Sequence, residues 1–176
     1  MTEPVLSAPP AVASIAAAPP DLESRVRQDD HQDLRLWLRL LACSHMLESE
    51  VRGRLRTQYG TTLPRFDLMA QLDRVPQGMK MSELSRHMMV TNGNITGITD
   101  QLERDGLVVR IKVATDRRSS IIRLTPKGQN VFRKLADSHE QWIQSLLADM
   151  PAETHRALLD SLDVLKRLIQ PRLTVR

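Results

Sequence analysis

Leu107-Val108-Val109-Arg110-Ile111-Lys112-Val113 and Ile121-Ile122-Arg123-Leu124 are two β-branched runs, and Ala114-Thr115-Asp116-Arg117-Arg118-Ser119-Ser120 lies between them. Two such runs around a polar segment predict a β-hairpin, here with a charged tip. Residues 107–128 hold Arg110, Lys112, Arg117, Arg118, Arg123 and Lys127 against Asp116 as the one acid, a surplus of +5, whereas the whole chain carries +4. The positive charge is therefore concentrated in this hairpin. A protruding cluster of cations suits phosphate contact and insertion into a narrow minor groove. A solvated, merely charged loop tip is the plainer explanation, and six cations against one anion weigh against it.

Working outward, Met81–Met89 and Thr91–Arg104 read as two short helices with room for only a tight turn around Val90. Thr91 is a suitable N-cap and Gly106 a suitable C′ residue. In the second helix Ile95, Ile98 and Leu102 share the core face, which leaves Thr91, Asn92, Asn94 and Thr96 at its exposed start. Amide and hydroxyl side chains both donate and accept, so they can read base edges if this end enters a major groove. An ordinary amphipathic helix with a polar outer face is the competing reading. Upstream, Leu63-Pro64 opens a helix whose Phe66, Met69, Ala70 and Leu72 face inward, and Pro76-Gln77-Gly78 is a turn. Three helices followed by a basic hairpin outline a winged helix-turn-helix.

The flanks are helical as well. Leu34–Leu55 is free of proline and apolar on two faces, with Leu34, Trp37, Leu38 and Leu41 on one and Leu36, Leu40, Cys43, Leu47 and Val51 on the other; Gly60 ends the stretch that follows. Such a helix is expected between two partners. Thr125-Pro126 starts another helix, with Thr as N-cap and Pro at the first position, and Phe132, Leu135, His139, Trp142 and Leu146 follow at helical spacing. After a break at Pro151, Leu158, Leu162, Leu165 and Ile169 form a seam close to that of a coiled coil. Two apolar helix faces beyond what a monomer of this size needs predict a homodimer. The expected organisation is an Ala/Pro-rich disordered tail (1–28), an N-terminal dimerisation helix (29–62), a winged helix-turn-helix lobe (63–125) and C-terminal dimerisation helices (126–176). The fold class is mainly α with a small β-hairpin wing, that is α+β.

Composition removes other classes. The 176 residues contain 41% hydrophobic side chains but only 3% aromatics, too few for stacking platforms that bind single strands. One cysteine, Cys43, precludes an internal disulfide and a Cys-based zinc site, and the five histidines lack close metal-ligand spacing. No apolar run reaches the length of a membrane span, and prolines interrupt an N-terminus without a basic n-region, so no secretory signal is expected. The expectation is a soluble, cytoplasmic protein. Neither a phosphate-binding loop nor a dinucleotide fingerprint is present, so no catalytic residue, metal or cofactor is expected and the chain is not read as an enzyme.

The segment Asp116 to Thr125 matches the D-x-R-x5-L-T wing pattern of MarR-family transcriptional regulators. Glu83-Leu84-Ser85, Ile95-Thr96 and Leu102-Glu103-Arg104-Asp105-Gly106-Leu107-Val108 also resemble that family's helix-turn-helix. The resemblance covers roughly residues 30–170. It implies a homodimer, built by the first and the last two helices, that binds double-stranded DNA at a pseudo-palindromic operator and represses until a small ligand releases it. It implies that Asp116 pairs with Arg118 and braces the wing, that Arg118, with Arg117, enters the minor groove, and that Thr91, Asn92, Asn94 and Thr96 sit at the recognition-helix start. Gly97 departs from the pattern, because relatives carry a longer polar or basic residue there; it motivates an alternative, a winged-helix interaction module that no longer binds DNA.

The family's ligand pocket lies between the dimerisation helices and the DNA-binding lobe. Arg39, His45 and Arg65 are polar residues on otherwise apolar stretches near that junction, and an arginine there can clamp a carboxylate. A surface or intersubunit role for the arginines, and a hydrogen-bonded core histidine, are the competing roles. The segments 34–41 and 62–67 are similar to MarR regulators that stand beside aromatic-acid catabolism genes, which implies an aromatic carboxylate or its coenzyme A thioester as effector. Oxidant sensing through Cys43 is a further alternative, although a buried, inert thiol is expected at a mid-helix apolar position.

Overall fold

A computed structural model describes residues 31–113 and 116–173, with the side chains of Asn92, Val113, residues 116–119, Arg172 and Leu173 outside the description. The expected tail therefore lies outside the described residues. The element order is α1 (Gln32–Tyr59), α2 (Leu63–Asp73), β1 (Met79–Lys80), α3 (Met81–His87), α4 (Asn92–Arg104), β2 (Val108–Val113), β3 (Asp116–Leu124), α5 (Pro126–Leu146) and α6 (Ala152–Leu173). The chain divides into two compact units inside α1, between His45 and Met46.

In the first unit Leu34, Leu36 and Trp37 are exposed. Cys43 is exposed too, which corrects the expectation of a buried thiol. Periodicity places it on an apolar stripe, but no neighbour within its own unit covers that stripe.

The second unit holds the core. α1 contributes Val51 and Leu55 and stops at Gly60, whose φ of +59° suits glycine; the Gly60 and Thr61 amides donate back to the Arg56 and Leu55 carbonyls. α2 starts with Pro64 in its first turn and buries Phe66, Leu68, Met69 and Leu72. It packs on α5 through tilted ring pairs, Phe66 with Phe132 at 5.6 Å and Phe66 with His139 at 5.0 Å. Tyr59 joins α1 to the same helix, its ring 6.1 Å from Trp142 and its hydroxyl 2.5 Å from Ser138 Oγ.

The hairpin is larger than the sequence suggested. β3 begins at Asp116, so residues 116–120 are strand rather than tip, and a bulge at Lys112/Val113 takes up the irregularity. A third strand was not foreseen: β1 pairs with β3 (Met79 opposite Ile122, Lys80 opposite Ile121), giving the antiparallel order β1-β3-β2. Two residues carry no periodicity; β1 exists because Ile121 and Ile122 supply its partner. The turn before it requires glycine, since Gly78 has φ +88° and a Cβ there would lie 2.4 Å from the Ile122 carbonyl oxygen. Thr125 caps α5, its hydroxyl accepting from the Gly128 amide at 3.0 Å and donating to the Gly106 carbonyl at 2.7 Å. α6 is different from every other helix of this unit: of its side chains that are described, only Leu165 is even partly covered. Among the described residues no helix is long and apolar enough to cross a membrane.

Candidate nucleic-acid interface

α4 is fixed from behind. Ile95, Thr99 and Leu102 are fully buried, Ile98 packs against the core, and the Thr99 hydroxyl donates to the Ile95 carbonyl at 2.8 Å, so this buried polar group is satisfied within its own helix. The opposite face presents Gly93, Asn94, Thr96 and Gly97, all exposed. Thr91 is also exposed, and its hydroxyl accepts from the Asn94 amide at 3.4 Å, so it caps the helix as expected. Asn92 occupies the first helical position, with its side chain outside the described residues.

The turn from α3 is unusual. Met89 has φ +52°, the one non-glycine residue with positive φ among those described, and its side chain is 93% exposed. Before it, the Glu83 carboxylate accepts from the Lys80 amide at 2.9 Å and closes the start of α3.

The C-terminal end of α4 is where the hairpin's cations go. Arg110 on β2 is ion-paired with Asp100, and its Nε lies 3.1 Å from Glu103 Oε2. Lys127 donates to the Asp105 carbonyl at 2.8 Å, which suits the negative end of the helix dipole. Two of the six cations counted from sequence are thus committed to α4. Lys112 and Arg123 are exposed. The expected Asp116–Arg118 brace and the side chains of Arg117 and Arg118 lie outside the described residues, although all three positions belong to β3.

The residues picked as ligand contacts have other surroundings. Arg39 and His45 are exposed on α1 and six residues apart, which at 3.6 residues per turn puts them on different faces. Arg65 is ion-paired with Asp105, joining α2 to the end of α4. A cavity of about 560 Å³ instead opens between the second half of α1, the start of α2 and the exposed face of α4. Arg52, Arg56 and Gln101 give it polar groups, Leu63, Pro64 and Ile98 give it apolar wall, and Gly93 and Gly97 leave the α4 side clear. Arg52 donates to Glu48 at 2.8 Å. Near this pair, burial and the neighbouring Glu48 push the Asp67 carboxyl above its ordinary range, with Arg52 opposing. Sequence reasoning missed Arg52 and Arg56; their one signal is a row of arginines at 52, 54 and 56 near the end of α1.

The MarR family model matches residues 61–120, from the start of α2 into β3. The transcriptional activatory protein BadR of Rhodopseudomonas palustris is 32% identical over 141 residues, 76% of this chain and 80% of that protein. The chain belongs to the MarR family. The homoprotocatechuate degradative operon repressor of Escherichia coli is 31% identical over 85 residues, 48% of this chain and 57% of the repressor. The MarR regulator Sco3205 of Streptomyces coelicolor, solved in complex with DNA, shares the fold at a TM-score of 0.69 and 21% identity, covering 83% of this chain and 92% of its own. Like its relatives the chain is a DNA-binding transcriptional regulator with a winged helix-turn-helix. The MarR relatives are transcription factors rather than enzymes.

Proposed function

We propose that the chain is a ligand-responsive repressor that binds a pseudo-palindromic operator as a homodimer and is released by a small aromatic acid or its coenzyme A thioester. The cavity carries this reading, because one of its walls is the exposed face of the helix that would enter DNA. A ligand held there by Arg52 or Arg56 and covered by Leu63, Pro64 and Ile98 would change what α4 can present. Apolar wall with arginine at one end suits a carboxylate on a flat apolar body. Similarity to a homoprotocatechuate degradative operon repressor supports an aromatic acid. Arg39, His45 and Arg65 are proposed contacts as well.

On the DNA side, Thr91, Asn92, Asn94 and Thr96 are proposed at base edges and the adjoining backbone, with Arg117 and Arg118 in the minor groove and Asp116 bracing them. Dimerisation is supported by α6, whose Leu158, Leu162, Leu168 and Ile169 are exposed. A helix with this much uncovered apolar surface needs a partner, and a two-fold copy would place two α4 helices about 34–36 Å apart on DNA. The test is calorimetry with benzoate-type acids and their thioesters, followed by DNA release. Binding that disappears in Arg52→Ala/Arg56→Ala supports the reading; no binding by either class overturns the effector assignment.

The exposure of Cys43 favours a second reading, oxidant sensing. It predicts that peroxide lowers the DNA affinity of the wild type and spares Cys43→Ser; equal affinities with and without peroxide would exclude it.

A further inference from the structure

Arg110 belongs to the basic hairpin, yet its guanidinium turns back onto the helix. It pairs with Asp100 and Glu103 together, and its side chain is only 29% exposed against 50% and 41% for the two carboxylates. Asp100 and Glu103 are three residues apart, so they share one edge of α4. Arg110 sits on β2 opposite Ile122 of β3, the strand that also carries Arg117 and Arg118. One planar cation, hydrogen-bonded to Asp100 and in charge contact with Glu103, therefore joins the outer edge of the helix to the sheet.

Two physical consequences follow. Two carboxylates on the exposed edge of a DNA-facing helix repel phosphates unless a cation neutralises them. In addition, the helix and the hairpin must reach adjacent grooves together, and a guanidinium held by a hydrogen bond to Asp100 and a charge contact to Glu103 fixes their separation better than a single charge pair.

We propose that Arg110 is a positioning residue, a clamp on Asp100 and Glu103 that sets the wing relative to the recognition helix, and that it does not itself bind phosphate. The inference rests on the DNA interface proposed above. It has a counterintuitive consequence: removing negative charge from α4 weakens DNA binding.

The experiment uses the full chain and compares wild type, Arg110→Gln, Arg110→Lys, Asp100→Asn/Glu103→Gln and the triple variant carrying Arg110→Gln with both acid changes. Each is titrated onto operator and random duplexes across a salt series by fluorescence anisotropy, with thermal unfolding alongside and Arg117→Ala/Arg118→Ala as interface control. The clamp predicts that Arg110→Gln and the double acid variant each lose about fivefold in operator affinity, the scale of a partly shielded ion-pair network. The triple variant loses no more than either, and Arg110→Lys does not rescue. In the double acid variant and the triple variant, which leave no unneutralised carboxylate on α4, the salt slope and the affinity for random DNA stay at wild-type values. The proposal is overturned if the acid variant binds as tightly as wild type or tighter, or if Arg110→Gln lowers the salt slope by about one, the mark of a lost phosphate contact. Parallel loss of melting temperature and of binding to both DNAs also overturns it, since that is general unfolding. If the interface control too binds like wild type, the interface reading falls and the clamp with it; if the control weakens while the acid variant does not, the clamp alone falls.

Discussion

Gly97 lies on the exposed side of α4, and among the described residues no atom beyond its chain neighbours and the backbone of its own helix comes within 4 Å of a Cβ built there. In a helix interior glycine costs about 0.8–1.0 kcal/mol relative to alanine, because more backbone freedom is lost on folding. With no steric term to subtract, Gly97→Ala should stabilise the fold by nearly that whole amount. For a chain of this size it corresponds to a rise of about 2–4 °C in melting temperature. Circular dichroism at 222 nm measures it, at one fixed protein concentration because the melting of an oligomer depends on concentration. A larger residue tests the cavity: Gly97→Leu projects into the space shared with Arg52 and Arg56 and should abolish the response to an effector while the protein still folds. A fall in melting temperature for Gly97→Ala would refute the reasoning, because it would mean that the space beside α4 is filled in the assembled protein.

Four further outcomes are expected. Gly128→Ala should destabilise by about 3 kcal/mol, because its Cβ would sit 1.9 Å from the Leu107 carbonyl oxygen, where backbone meets backbone; denaturant unfolding measures this, and a loss below half that size would show that α5 can shift away from Leu107. Met89→Gly should stabilise by about 0.5–1 kcal/mol, since it relieves a left-handed backbone and removes an exposed side chain; a lower melting temperature would show that Met89 has a packing partner. Burial pushes the His139 imidazole below its ordinary value of 6.5, so the fold favours the neutral ring. Its contribution is then present above that value and lost as pH falls through the lowered one. Melting temperature should drop on acidification below about pH 6.5, and less so in His139→Gln. For Asp67 the sign is opposite: its raised value makes the charged form a cost at neutral pH, so Asp67→Asn should raise the melting temperature at pH 7 and not below the ordinary value of 3.8.

What could be read directly from the sequence was local chemistry. Thr91 and Thr125 are recognisable as caps because a hydroxyl before a helix has one obvious donor to satisfy, and both make that bond. The core face of α4 followed from the spacing of Ile95, Ile98 and Leu102. Features made by distant segments were not legible. β1 depends on Ile121 and Ile122, some forty residues on. The cavity needs α1, α2 and α4 together, so spacing alone does not place Arg52 and Arg56 on its wall, nor does it show that Arg65 pairs with Asp105. Counting charge along the hairpin treated Arg110 and Lys127 like Lys112 and Arg123; folding sends the first two to α4 instead. The exposure of Cys43 is not legible for a related reason, since an apolar stripe shows which side chains want cover but not whether the same unit provides it.

The most direct test of the central claim is fluorescence anisotropy of the full chain on the DNA upstream of its own gene and on random duplex, across a salt series, with Arg117→Ala/Arg118→Ala and Asn94→Ala beside the wild type. The account predicts tight, salt-sensitive binding that prefers the upstream DNA. It also predicts that the wing variant loses affinity and salt slope on both duplexes, and that Asn94→Ala loses preference. Equal, weak binding to both DNAs by all three proteins, repeated on a genome-wide fragment library, would contradict it.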